Sequence, residues 1–410
     1  MAQKPVRKPA KKAATPPPPG SGNAGPAARR PLVTIRAHEG GEEPLTHVVM
    51  SSAGPAILNI ARRWPYILRV RSRWAGDPDM RDYFAEQASN DLTKLGVSAA
   101  DMPKFALAGH IEVELHDPKA DVAEAARLME AASEIPWEYL LTSATRNAGR
   151  FNPLLVTRCF SNGVDVNSTP PRQVLFVESA PGRIDQEYEF DDEETRIRAA
   201  VNNKMEIAPT LPLSKLKAMV AAKNWEAIHV TGVDTHQAAW LIDGFYDVFE
   251  KTKPDEKSKT DVIDESDILH DGMILRGDTE SEFPIRYDHL PAILLGSKKK
   301  KPQVITLNLY YSGARTAREL VREGAHAAIG FLDEIDDEFA EQFFQAFYWA
   351  WCHGGNPIQG AFLEAWKGMD GDRMHGTGIV IWLGSSMIGF EARKKNTAKP
   401  ASKKKRTGAR

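Results

Sequence analysis

Cysteine is nearly absent from this chain of 410 residues: only Cys159 and Cys352 occur, far apart in sequence. That excludes a disulfide framework and a Cys-rich zinc site, and a reducing cytoplasm is the expected compartment. Long apolar runs are also missing. The most apolar stretch, Thr377 to Phe390, is broken by Gly384, Ser385 and Ser386 and falls short of the ~20 residues that span a bilayer, so no membrane span is expected. The N-terminal Lys and Arg residues are followed by no apolar core, which argues against a secretion signal. Acidic residues are missing from both ends. Residues 1–31 carry seven Lys/Arg and residues 393–410 carry nine, with no Asp or Glu in either, while the remaining 37 of the 53 bases face all 55 acids. The formal charge of −2 therefore conceals an acidic body between two basic arms.

The two arms read as disordered tails. Residues 1–31 are built of Lys, Ala, Pro and Gly and contain too little apolar area to offset the entropy of ordering. Gly20, Gly22 and Gly25 match a dinucleotide fingerprint formally, but no strand precedes them and no helix follows, so the match is accidental. The cluster Lys403 to Arg406 reads as part of a solvated arm. No cofactor is indicated. The sequence divides into a basic tail (1–31), a region without recognisable chemistry (32–107), a domain over 108–392, and a second tail (393–410). Val33 to Ala37 and Ile67 to Val70 can be strands, and Pro78 to Leu95 a helix.

From Gln173 onward, short β-branched runs alternate with helical patterns, which predicts an α/β fold with a mostly parallel central sheet between helices. Strands are expected at Gln173 to Glu178, Met205 to Ala208, Ala227 to Thr231, Met273 to Leu275, Gln303 to Leu309, Ala327 to Phe331 and Gly378 to Leu383. In the helix from Ala314 to Glu323, Ala317, Leu320 and Val321 should face inward, and Arg315, Arg318, Glu319 and Arg322 should face water, with Gly324 as the C-cap. Phe339, Phe343, Phe347 and Trp351 recur every fourth position, the spacing of a core-facing helical stripe. Asp336 and Asp337 stand just before that helix. They suit an N-cap, and they also suit an acidic wall of a pocket for a basic side chain.

Several stretches taken together resemble a known family. EIPWEYL (Glu134 to Leu140) is similar to the start of CHAT domains, and QVLFVESAPG (Gln173 to Gly182), IHVTGVDTHQ (Ile228 to Gln237), LNLYYSGA (Leu307 to Ala314) and GAHAAIGFLDEIDDEFAEQFFQAFY (Gly324 to Tyr348) follow in that family's order across about two thirds of the chain. CHAT domains group with caspases and separase as α/β cysteine peptidases, so the resemblance implies a caspase-like three-layer sandwich. It also implies a catalytic His-Gly pair after one strand and a Cys after a later one. A thiol with a pKa of ~8.5 needs a neighbouring imidazole to take its proton and return it to the leaving amine. In this chain the histidine position falls on Val233, its following glycine on Asp234, and the cysteine position on Tyr310. Valine transfers no proton, and a phenol with a pKa of ~10 is a poor nucleophile toward an amide.

The resemblance thus implies a degenerate peptidase that acts by binding a protein or peptide, as a regulator or sensor in bacterial defence or cell death, with an active peptidase among the candidate partners. Two other readings remain open. A relocated dyad can be assembled from His229, His236, Ser312 and Cys352, with Asp234 and His236 as an incomplete metal pair. Alternatively, the basic tails bind nucleic acid or an anionic surface, although no aromatic residue interleaves the basic runs.

Overall fold

The computed structural model describes residues 31–39, 44–50, 54–116, 123–147, 154–160, 169–182, 184, 188, 190–241, 271–279, 282–296, 300–369 and 378–386. The basic tails, the accidental glycine fingerprint and the Lys403 to Arg406 cluster lie outside these residues.

Twelve strands are present among the described residues: β1 (Val33–His38), β2 (Thr46–Met50), β3 (His110–Leu115), β4 (Leu155–Phe160), β5 (Val174–Ser179), β6 (Met205–Ala208), β7 (Ala227–Gly232), β8 (Gly272–Leu275), β9 (Phe283–Arg286), β10 (Val304–Asn308), β11 (Ala327–Phe331) and β12 (Ile379–Leu383). Ten of them form one sheet in the order β2-β1-β3-β4-β12-β11-β10-β7-β5-β6. Only β1–β2, β1–β3 and β11–β12 pair antiparallel within it; the other neighbours run parallel. The parallel interior strands are buried on both faces, as β7 and β10 show with a single half-buried residue each, because helices cover both sides of such a sheet.

One face is covered by α1 (Gly54–Arg69), α2 (Pro78–Lys94), α3 (Met102–Leu107), α4 (Ala123–Glu134), α5 (Trp137–Asn147), α7 (Leu213–Ala222), α9 (Leu290–Leu294) and α10 (Arg315–Arg322), whose buried residues share one core. The other face is covered by α6 (Asp191–Ala200), α11 (Asp337–Cys352) and α12 (Ile358–Gly368), where Phe343, Phe344, Phe347, Tyr348 and Trp351 are fully buried. The molecule is a three-layer α/β sandwich with a mostly parallel sheet, and the aromatic stripe is core packing. A seven-residue helix, α8 (Thr235–Leu241), follows β7 at the carboxyl ends of the parallel strands.

Three expectations change. Ile67 to Val70 is not a strand. Ile57, Ile60, Ala61, Trp64 and Leu68 form a continuous buried helical stripe through α1, and Ile67 lies on its flank. Met273 to Leu275 is extended, but it pairs antiparallel with β9 in a separate two-stranded sheet. On α10, Arg318 and Glu319 are buried instead of facing water, because a helix enclosed by the sheet and by α4 has no fully wet side. Arg318 donates to Ser133 Oγ at 3.1 Å and lies 3.7 Å from Glu319, so the pair shares its desolvation. Gly324, at φ +115°, ends α10 in the left-handed conformation that glycine adopts without a Cβ penalty.

The corner between α4 and α5 is fixed by one buried guanidinium. Arg158 on β4 donates to both oxygens of Glu138 (2.8 and 2.6 Å) and to the carbonyls of Ser133 (2.6 Å) and Ile135 (3.0 Å). The Trp137 indole N–H closes the same corner onto Ala132 O at 2.9 Å. Arg158 also lies over the Trp382 ring, 5.5 Å from its centroid, and the Trp382 N–H donates to Gly313 O at 2.7 Å. A single residue on β4 thereby positions both the corner and the turn after β10.

Glu138→Leu leaves the Arg158 charge buried without its carboxylate and is expected to cost about 3–5 kcal/mol in urea unfolding. Adding Arg158→Met should recover much of that loss, and equal destabilisation of the single and double variants would contradict this account.

Candidate ligand-binding cleft

The residues that follow β7 and β10 occupy the positions where the resemblance places a catalytic pair. Val233 is fully buried in a small apolar cluster with Ala180, Ile184, Ala238 and Ile274. Its N–H donates to Ser179 O at 3.1 Å and its carbonyl accepts from Ile274 N at 3.0 Å, so its backbone is also committed. Tyr310 is half-buried, with its hydroxyl 3.4 Å from Asp337 Oδ1. Burial, and secondly the charge of Asp337, push the phenol well above its ordinary pKa, which makes it a still weaker nucleophile.

The other sequence candidates separate into distinct roles. His229 is fully enclosed, with Nδ1 2.7 Å from Thr306 Oγ1 and Nε2 2.8 Å from Glu193 Oε1. Thr306 continues to the Tyr348 hydroxyl at 2.8 Å, and Asn308 donates to Glu193 at 2.9 Å. This network satisfies buried polar groups under α6 and α11. Ser312 Oγ donates to Leu309 O at 2.7 Å and accepts from Phe331 N at 3.2 Å, which pins the turn against β11. Gly313 is required there: a Cβ would lie 2.9 Å from the Phe331 carbonyl carbon.

Asp234 Oδ1 accepts from the N–H groups of His236 (2.7 Å) and Gln237 (3.3 Å), capping the start of α8. The His236 ring turns instead to Asp271, with Nε2 3.0 Å from Oδ1, so Asp234 and His236 do not converge as a metal pair. Among the described residues no group of three or more His, Cys, Asp or Glu side chains is arranged to hold a metal. Asp336 caps α11 through Phe339 N at 3.1 Å, while Asp337 faces the Tyr310 hydroxyl at 3.4 Å, and neither lines the cavity described below. Cys352 lies at the far end of the 16-residue α11, about 22 Å along the axis from Asp337. There His353 contacts Ala200 O, and burial pushes the Cys352 thiol up to about 11.

Of the sequence candidates, His236 is the one among the described lining residues of a cavity beside α8. The cavity has a volume of about 260 Å³ and its lining includes Arg69, Glu134, Asp271, Tyr311 and Arg315. Tyr311 adopts φ +53°, a left-handed backbone rare for a bulky residue. Its ring packs on His236 at 4.6 Å, its hydroxyl donates to Glu334 at 2.9 Å, and Arg69 lies over it at 4.9 Å. Arg315, expected to face water, lines the cavity with Nε 2.6 Å from Glu134 Oε1. Burial raises Glu134 to about 7 despite the opposing pull of Arg315.

Sequence reading found His236 and missed most of its surroundings. Glu134 and Tyr311 carried a signal, since one heads the EIPWEYL stretch and the other follows the expected nucleophile position. Arg69 and Asp271 carried none, because they arrive from elements remote in sequence.

Burial also raises Asp234 from 3.8 to about 7, with Oδ2 lacking a hydrogen-bond partner. The folded protein therefore binds this proton more tightly than the unfolded chain. Stability from this group is full below pH ~4 and is lost as pH rises toward 7. Asp234→Asn keeps a capping oxygen and removes the titration. It should flatten the fall in thermal stability between pH 4 and pH 7, by on the order of 2–4 kcal/mol; an unchanged pH profile would contradict the assignment.

No family model matches this chain, and no curated protein matches it. Among solved structures, the chain is similar to the crystal structure of gingipain R, an Arg-specific cysteine proteinase, with a TM-score of 0.35 and 12% identity. The match covers 58% of this chain and 56% of that one, so it spans just over half of the proteinase chain.

Proposed function

We propose that this protein is a CHAT-type member of the caspase-like peptidases that binds a peptide or protein in the cleft beside Tyr311 without cleaving it. The observation that carries the reading is the burial of Val233 in an apolar cluster at the position where the resemblance requires the catalytic histidine. No thiol compensates. Cys159 is fully buried within β4, with its thiol driven well above the ordinary range by burial, and Cys352 sits at the opposite end of α11. The cleft nevertheless retains the features of a recognition site: concavity, apolar walls and converging polar groups. Binding without turnover suits a regulator or sensor in a bacterial defence or cell-death pathway, with an active peptidase as one class of partner.

One observation favours a working hydrolase instead. The His236–Asp271 pair resembles an oriented general base and opens into the cavity. Among the described residues that line that cavity there is no serine, threonine or cysteine for the base to activate.

Incubating the purified protein with a randomised peptide library is expected to give no cleavage, and His236→Ala should behave identically. Cleavage by the wild type that disappears in His236→Ala would replace this reading with a relocated catalytic site.

A further inference from the structure

One charged side chain of the cleft, Arg69, forms no ion pair among the described residues. Arg315 is matched by Glu134 at 2.6 Å and by Glu130 at 3.4 Å, and His236 is matched by Asp271 at 3.0 Å. The nearby Asp333 is taken by Arg71 at 3.8 Å and by the N–H of Glu334 at 2.9 Å. Arg69 has no carboxylate within ion-pair distance among the described residues; its guanidinium lies over the Tyr311 ring, and its charge acts on Asp333 only from beyond that distance.

We infer that Arg69 is a specificity residue, and that the cleft recognises a peptide through an acidic side chain whose carboxylate pairs with this guanidinium. The inference rests on reading the cleft as a peptide site and adds the class of peptide. A guanidinium lying over an aromatic face is held by cation–π attraction and keeps its N–H donors available for a planar, bidentate carboxylate. The Tyr311 plate beneath it is itself fixed by Glu334, by His236 and by the strained backbone at φ +53°. Pro65, Leu68, Pro136, Ala314 and Leu332 supply apolar walls for the aliphatic stem of a glutamate or for its neighbours. A monoanion suits the local charge balance. A phosphate dianion would set two charges against one free arginine, with Glu134 and Asp271 close by.

Arg69, Pro65 and Leu68 all come from the last turns of α1, within the stretch 32–107 to which the sequence gives no role. That region contributes a wall of the cleft and, among the described lining residues, its one cation without an ion pair.

The test uses the full chain and four labelled peptide pools, identical except for one position fixed as Glu, Gln, Lys or phosphoserine, with binding followed by fluorescence anisotropy. The Glu pool should bind at least ~10-fold more tightly than the Gln pool, a loss of about 1.4 kcal/mol on neutralising the side chain. Arg69→Ala should abolish the preference and Arg69→Lys should retain part of it. Arg69 is exposed, so neither change should shift the melting temperature. Equal binding of the Glu and Gln pools, a preference that survives Arg69→Ala, or tighter binding of the Lys or phosphoserine pool would overturn the assignment. Cleavage of the pools with the Glu preference intact would remove the non-catalytic reading and support this one.

Discussion

A guanidinium cannot lose its proton at physiological pH, so an arginine without solvent exposure must find acceptors in every direction it points. Arg158 has none of its side chain exposed, and its acceptors all lie on the α4–α5 corner: two carbonyls and the Glu138 carboxylate. The geometry of that corner is therefore dictated from within β4. Its influence reaches further because Arg318 donates to Ser133 and Arg315 meets Glu130 and Glu134, tying α10 to α4. Trp382 carries the same constraint to the Gly313 carbonyl. The cleft beside Tyr311 is bounded by these elements, so its shape follows from how one buried charge is satisfied.

The stretch EIPWEYL takes on physical content in this arrangement. Trp137 closes the corner, Glu138 neutralises Arg158, and Glu134 reaches the cavity. The residues that make the stretch recognisable are those with no interchangeable partner. The turn after β10 follows the same logic. Ser312 and Gly313 retain their packing against Phe331, although the neighbouring position carries a tyrosine.

Fold class was legible from residue 173 onward because parallel interior strands are apolar on both faces and stand out as short runs. The amino-terminal half of the sheet was much harder to read. In β3, the sequence HIEVEL alternates as a half-exposed strand would, yet Glu112 is fully buried and pushed upward by that burial. Periodicity reports a polar face and cannot report what covers it. The same blindness put Arg318 and Glu319 in water. For the cleft, a local motif located His236, whereas Arg69 and Asp271 join it only through the three-dimensional path of the chain.

The antiparallel pairing of β1 with β3 joins six residue pairs, from Val33↔Leu115 to His38↔His110. A fragment beginning near residue 108 would thus expose the full hydrogen-bonding edge of β3. An uncapped edge strand is a template for pairing between molecules. Cutting the chain there would replace the short strand β2 with the longer strand β3 at that end of the open sheet, so residues 33–50 act as a cover for an edge that would otherwise invite pairing between molecules.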